Sequence, residues 1–331
     1  MSAVVASAPG KLMLFGEHAV VYGHPCLVTA VNLRVSVQVA PNNSSRVTIT
    51  TPTAAQPFIA TVEELAAAAA VPDGVKFVAL ALKKFWEFTD TRFGVDIRTG
   101  SEFVNASGLG SSSAVTVATI TALAAVSGAN LAPTQLFQLS FDTVLAAQQG
   151  RASGFDVASA VYGGTIYYQN QGEEIRPVAV RHLPLMIIHS GVKASTTKLV
   201  GRVAHLQQEY PQHVARIFRG IAALVNDAVP LLEQGELEPL GQLMNFNQGY
   251  LNALGVSTGR LEGLVAGALK HGATGAKISG AGGGDCVIAL AGPVAQTGIA
   301  RFVRQNAGLS MISADIGAAG ARIEQEQTEI K

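Results

Sequence analysis

The chain has 331 residues, with 23 lysines and arginines against 23 aspartates and glutamates, so its formal net charge is zero. That length suits two packed domains; 48% hydrophobic and only 14% charged residues exclude a disordered chain, and the neutral balance without a basic cluster argues against nucleic acid as the main partner. Two cysteines, Cys26 and Cys286, are too few for a disulfide framework, no stretch reaches the ~18 apolar residues of a membrane span and the start lacks a leader pattern, so the expectation is a soluble, cytoplasmic protein with no membrane partner.

In chain order, residues 3–7 and 11–15 read as strands separated by Pro9-Gly10. Residues 28–40 form a strand whose second half, RVSVQVA, alternates as a half-buried strand does. Strands at 47–51 and 58–62 precede an amphipathic helix at 75–88 and a strand at 93–99. An apolar run of helical length follows at 115–126, then a helix at 133–149 with Pro133 in its first turn, where proline is tolerated. A short helix at 157–161 leads to a hairpin, 165–169 and 175–180, around Gln171-Gly172. A buried strand at 185–189 opens the second half, with helices at 198–209, 213–233, 239–254 and 260–271. Strands at 276–279 and 286–290 flank a glycine cluster, and a helix at 294–306 and a strand at 310–316 finish the pattern. Helices and strands mix without strict βαβ alternation, which favours α+β, with domains at 1–182 and 183–331.

Chemistry concentrates in four places. Gly108-Leu109-Gly110-Ser111-Ser112-Ser113-Ala114 stands directly before the 115–126 run. Glycines let backbone approach a ligand closely, and a helix start offers unpaired N–H groups and the positive end of a dipole, which together make a phosphate cradle. Lys11, after Pro9-Gly10, can set a positive charge against a phosphate or a developing alkoxide. Asp156, in Ser153-Gly154-Phe155-Asp156, reads either as a helix cap or as a base for an attacking hydroxyl. Lys277-Ile278-Ser279-Gly280-Ala281-Gly282-Gly283-Gly284-Asp285 packs four glycines into five residues between two apolar strands and reads as a second phosphate-side loop. Two such loops, a lysine and a base suggest phosphoryl transfer, which works by positioning and charge stabilisation. No Walker loop and no protein-kinase His-Arg-Asp or Asp-Phe-Gly set occurs.

The segment Ser7-Ala8-Pro9-Gly10-Lys11 running into Gly16-Glu17-His18-Ala19-Val20-Val21-Tyr22-Gly23 resembles the first motif of the GHMP kinases, in the form carried by mevalonate kinases. The loop from Gly108 to Ala114 resembles the second motif, Lys277 to Gly284 the third, and Ser153-Gly154-Phe155-Asp156 the segment of the catalytic aspartate. Residues 245–257 resemble a helix of the same family. The resemblance implies an N-terminal domain like part of ribosomal protein S5, a ferredoxin-like C-terminal domain and a site between them. It implies ATP, Mg²⁺ and transfer of the γ-phosphoryl group to the C5 hydroxyl of mevalonate in isoprenoid precursor synthesis. Carried over by motif, Asp156 and Lys11 are catalytic. Gly108, Leu109, Gly110, Ser111, Ser112, Ser113, Gly282 and Gly283 hold ATP and its phosphates. Glu17, His18, Thr196, Gly280 and Ala281 lie on the substrate side, and Ser112 holds the metal. Mevalonate kinases usually carry a metal-binding glutamate eleven residues before the aspartate; here that position is Leu145, with Asp142 one turn earlier and Gln148 nearly one turn later as residues able to face the site, Asp142 being the candidate metal ligand beside Ser112. The usual proline ahead of the second motif is also absent from residues 103–107. Phosphomevalonate kinase, whose pattern the run Gly280 to Cys286 also resembles, and a non-catalytic ligand-binding protein of the same fold stay open as alternatives, as does a homodimer built on the C-terminal helices.

Overall fold

A computed structural model describes residues 2–68, 70–103 and 108–325. The entry to the first glycine loop, residues 104–107, lies outside the described residues. The expected break at Pro9-Gly10 is a bulge within one long strand. β1 (Val4–Phe15) pairs antiparallel with β2 (Cys26–Pro41), and its partner jumps from Arg34 at Pro9 to Val31 at Gly10. Bulges of this kind re-aim side chains and recur beside active sites; this one precedes Lys11. β3 (Arg46–Thr50) and β4 (Phe58–Thr61) form a hairpin. The strand expected to reach residue 62 stops at Thr61, because Thr61 and Glu64 close a reciprocal capping box on α1 (Val62–Ala67).

α2 (Lys76–Thr89), β5 (Val95–Ser101), α3 (Ser111–Ser127), α4 (Pro133–Ala147), α5 (Phe155–Tyr162), β6 (Thr165–Gln169) and β7 (Glu174–Pro177) complete the first half. The sheet runs β4-β3-β5-β2-β1 and continues through β6, which pairs with the start of β2, to β7. α3 is apolar almost all round and touches β1, β2, α2, α4 and α5, as a helix inside a core must.

The second half contributes β8 (Leu185–His189), α6 (Thr196–Glu209), α7 (Pro211–Gln234), α8 (Leu237–Ala253), α9 (Gly259–Lys270), β9 (Gly275–Ser279), β10 (Cys286–Leu290), α10 (Pro293–Gln305) and β11 (Ser310–Ile312). Its antiparallel sheet has the order β11-β8-β10-β9, which in strand order is four, one, three, two, the ferredoxin-like arrangement.

The strand expected over 310–316 ends at Ile312, and the chain then returns to the first sheet. Val31 bridges to Ile316, Gly163 to Ala319, and β12 (Arg322–Ile323) pairs with β1. The Arg34 guanidinium fastens this strap, donating to the carbonyls of Ser7, Ala319 and Gly320. The segment after β11 therefore packs with the N-terminal sheet through Ile316, Ala319 and β12, a pairing that local sequence does not reveal.

Candidate active site

Lys11 is the centre of the site. It is buried on β1, its N–H donates to Leu109 O at 2.9 Å, and its ammonium donates to Gly108 O at 3.1 Å. The same Nζ lies 3.6 Å from Asp156 Oδ1 and 5.3 Å from the centre of the Phe155 ring, over its face. One lysine thus ties the first glycine loop to the aspartate segment, which are 48 positions apart in sequence when counted from Gly108 to Asp156. Gly110 must be small there, since a Cβ would stand 3.0 Å from Lys11 Cγ, and its φ is +79°.

Gly110 is the left-handed N-cap of α3. The first-turn N–H groups of Ser111, Ser112 and Ser113 have no hydrogen-bond partner among the described residues. Unclaimed donors at a helix start form an anion site. The serines divide by burial: Ser111 is exposed, Ser112 half-buried and Ser113 buried, so the first two hydroxyls are the accessible ones.

Asp156 sits in the first turn of α5, which begins two residues before the expected Val157. The N-cap is Gly154, at φ +84°, and Asp156 makes no cap bond, so the capping interpretation fails. Its side chain is 34% exposed and Oδ1 has no hydrogen-bond partner among the described residues, which leaves a carboxylate oxygen beside an ammonium and able to take a proton.

Glu17 is placed differently from expectation. It and Lys277 are wholly buried as an ion pair across the two halves of the chain, and Asn247 Nδ2 lies 3.4 Å from the second carboxylate oxygen. Burial lowers the Lys277 pKa, and the Glu17 carboxylate opposes that shift. Glu17 therefore binds the halves together and has no surface for a substrate. His18 is also buried, with Nε2 donating to Ala281 O at 3.0 Å; this brings His18 and Ala281 together at the seam. Ser279 completes the seam by both accepting from Met13 N and donating to Met13 O.

The third-motif glycines answer mainly to their own chain. A Cβ on Gly282 would strike Val256 O and one on Gly283 would lie 2.7 Å from Leu199 Cδ1, whereas Gly280 faces open space. Asp285, at φ +55°, receives Ala194 N–H on Oδ1, and its Cβ would be 2.8 Å from a Cβ on Gly108. Thr196 is exposed at the start of α6, and no described contact joins it to Lys11 or Asp156. Asp142 lies on the exposed face of α4, where its carboxylate receives Gln138, and Leu145 packs against the core. Among the described residues no group of three or more His, Cys, Asp or Glu could hold a metal. Sequence reasoning missed Phe155 as the face over Lys11 and Asp285 as the neighbour of Gly108; both stood inside the quoted motifs, but their partners are distant in sequence.

Residues 74–164 match the GHMP kinases N-terminal domain family, residues 228–308 the GHMP kinases C-terminal family, and residues 1–41 the galactokinase galactose-binding signature. The mevalonate kinase of Pyrococcus horikoshii is 37% identical over 336 positions, covering 97% of this chain and 98% of that protein. The crystal structure of the Methanococcus jannaschii mevalonate kinase has the same fold, with a TM-score of 0.82 at 23% identity over 98% of this chain and 99% of that one. That of L. major mevalonate kinase in complex with R-mevalonate has a TM-score of 0.73 at 27% identity over 92% of each chain. With such identity along nearly the whole of both sequences, and a lysine, aspartate and glycine loop converging on one point, this chain belongs to the mevalonate kinase family of the GHMP kinases.

Proposed function

We propose that this chain is an ATP-dependent kinase that phosphorylates the C5 hydroxyl of mevalonate, with Asp156 and Lys11 as its catalytic pair. The observation that carries the residue assignment is the Lys11 ammonium, held between the glycine-loop carbonyl of Gly108 and the Asp156 carboxylate. In the reaction Asp156 takes the hydroxyl proton. The oxygen's electron pair forms the new bond to the γ-phosphorus, and the bond from that phosphorus to the β–γ bridging oxygen breaks, leaving ADP. Lys11 stabilises the negative charge that develops on the attacking oxygen. The unclaimed N–H groups at the start of α3, with Gly108 to Ser113, receive the phosphates. His18 and Ala281 border the acceptor side together with Gly280, and Thr196 stands at its rim.

The donors available for Mg²⁺ suit an ion carried mainly by the nucleotide. Among the described residues neither the Ser112 hydroxyl nor Asp156 Oδ1 has a hydrogen-bond partner, while Leu145 and Asp142 offer nothing inward. Mg²⁺ is commonly held by one or two protein oxygens together with phosphates and water. When bound it neutralises charge on the transferring phosphates. Among the described residues no helix is long and apolar enough to cross a membrane, and the reading is of a cytoplasmic enzyme acting on small molecules.

The test is ADP formation from ATP and Mg²⁺ with mevalonate, 5-phosphomevalonate, homoserine and galactose in parallel. Turnover with mevalonate alone is the expected outcome; turnover only with 5-phosphomevalonate reassigns the acceptor. Asp156→Asn is expected to lower kcat by about 10²- to 10⁴-fold with ATP binding retained by calorimetry. An unchanged kcat removes Asp156 from the mechanism.

A further inference from the structure

Among the described residues Asp156 makes no hydrogen bond that would orient its carboxylate, and the Lys11 ammonium at 3.6 Å is a loose partner. Its direction must come from the backbone, and therefore from the Ser153-Gly154 turn that launches α5. Tyr168 grips this turn from below. It is wholly buried on β6, opposite Cys26 of β2, and its hydroxyl donates to Ser153 O at 2.6 Å. A Cβ on Gly154 would collide with the same hydroxyl, so oxygen and turn are in direct contact. Phe141 covers Gly154 on another side, 3.0 Å from where that Cβ would stand, and Phe137 meets the Tyr168 ring edge-on at 6.4 Å between centroids.

A phenylalanine would fill this core as well and would spare the cost of burying a hydroxyl. Burial first, and then the neighbouring Cys26 and Asp156, raises the Tyr168 pKa well above its usual value, so the group remains a donor. We propose that Tyr168 is the positioning residue for Asp156: its bond to Ser153 O fixes the turn that aims the carboxylate at Lys11. The proposal rests on the kinase reading, in which Asp156 receives the acceptor's proton.

Tyr168→Phe keeps the ring and removes the bond. The expected result is a five- to twenty-fold fall in kcat, with KM for ATP and for mevalonate within two-fold of the parent. Lys11, shielded in the parent, is expected to undergo reductive methylation several-fold faster, read by mass spectrometry of the labelled peptide. Gly154→Ala disturbs the same contact from the other side and should reproduce the kcat-selective loss and the Lys11 unmasking, which covers the case in which Tyr168→Phe does not fold. Circular dichroism checks the folding of both. A folded variant with unchanged kcat and unchanged Lys11 labelling overturns the proposal, as does a rise in both KM values at constant kcat. Should the parent turn over no acceptor, the kinase reading fails, and Lys11 labelling alone decides whether Tyr168 positions the pair.

Discussion

His18 occupies a backbone conformation that side chains avoid, with φ 62° and ψ −44°, and it does so while buried against the opposite half of the chain. Strain of this kind persists only where surrounding contacts over-determine it. Here the contact is the bond from Nε2 to Ala281 O, which needs that nitrogen protonated and fixes the tautomer. Burial lowers the His18 pKa from 6.5, and the Ala281 carbonyl only partly opposes the shift. The unfolded chain thus binds a proton at a pH where the folded chain does not. The stabilisation is complete above about pH 6.5 and is lost as pH falls from there through the folded value. His24 is shifted in the same direction, by burial first and then by Arg219, so only a difference between variants isolates His18. His18→Asn, a residue that tolerates positive φ, is expected to show a shallower loss of stability than the parent between pH 7.5 and 5.5 in urea denaturation. Identical slopes would assign the pH dependence elsewhere. The sequence revealed His18 as a motif residue, but its surroundings arise from a carbonyl 263 positions away, which no local pattern encodes.

The legible elements were those whose cause is local. The strand over Leu185–His189 and the helix from Pro133 follow from runs and caps a short window contains. The first glycine loop was legible as a loop for the same reason: two glycines and a serine run stand directly before an apolar helix. Gly282 and Gly283 look identical in sequence, yet backbone at Val256 and the Leu199 side chain account for their size. A glycine count registers close approach but not what approaches. The same distinction predicts how two alanine substitutions on α3 and its loop should differ. Gly108 has φ +84° and a Cβ there would lie 2.8 Å from Asp285 Cβ, so Gly108→Ala must move the glycine loop or the Asp285 turn. Gly128, the C-cap of the same helix, has φ +73° but nothing within 4 Å. Both carry a backbone cost of about 1–2 kcal/mol. Only Gly108→Ala is expected to raise KM for ATP, by roughly ten-fold, equivalent to about 1.4 kcal/mol of lost binding. Gly128→Ala should lower the urea midpoint while leaving KM unchanged. Initial rates over a range of ATP concentrations, beside unfolding curves, separate the two.

At the scale of the molecule, the site depends on how the two sheets are held, and here sequence was least informative. Among the features that join the halves are the apolar faces of α7 and α8 packed on the first-half core, the strap over residues 313–325, clasped by Arg34, and the seam of Glu17, His18 and Met13 against Lys277, Ala281 and Ser279. Burial brings the Arg34 pKa down to about 10, with Arg322 adding to the shift and Glu324 and Glu102 opposing it, a sign of how deeply this cation is committed to the strap. Glu17 was legible as a motif carboxylate and was therefore expected at the substrate; its buried partner lies 260 positions away and reassigns it to the seam. A buried ion pair is weak evidence of net stabilisation, because desolvation offsets the attraction, but removing one partner strands a charge. Lys277→Met is therefore expected to cost about 3–5 kcal/mol in urea denaturation. Adding Glu17→Gln should restore most of that loss, since a neutral amide keeps the shape and the reach to Asn247 without a buried charge. The double-mutant cycle yields the coupling between the halves directly. If the two substitutions add without coupling, the pair does not bind the halves. Strong coupling accompanied by recovery of kcat in the double variant would establish that this seam holds Lys11 and Asp156 in register without Glu17 touching the acceptor.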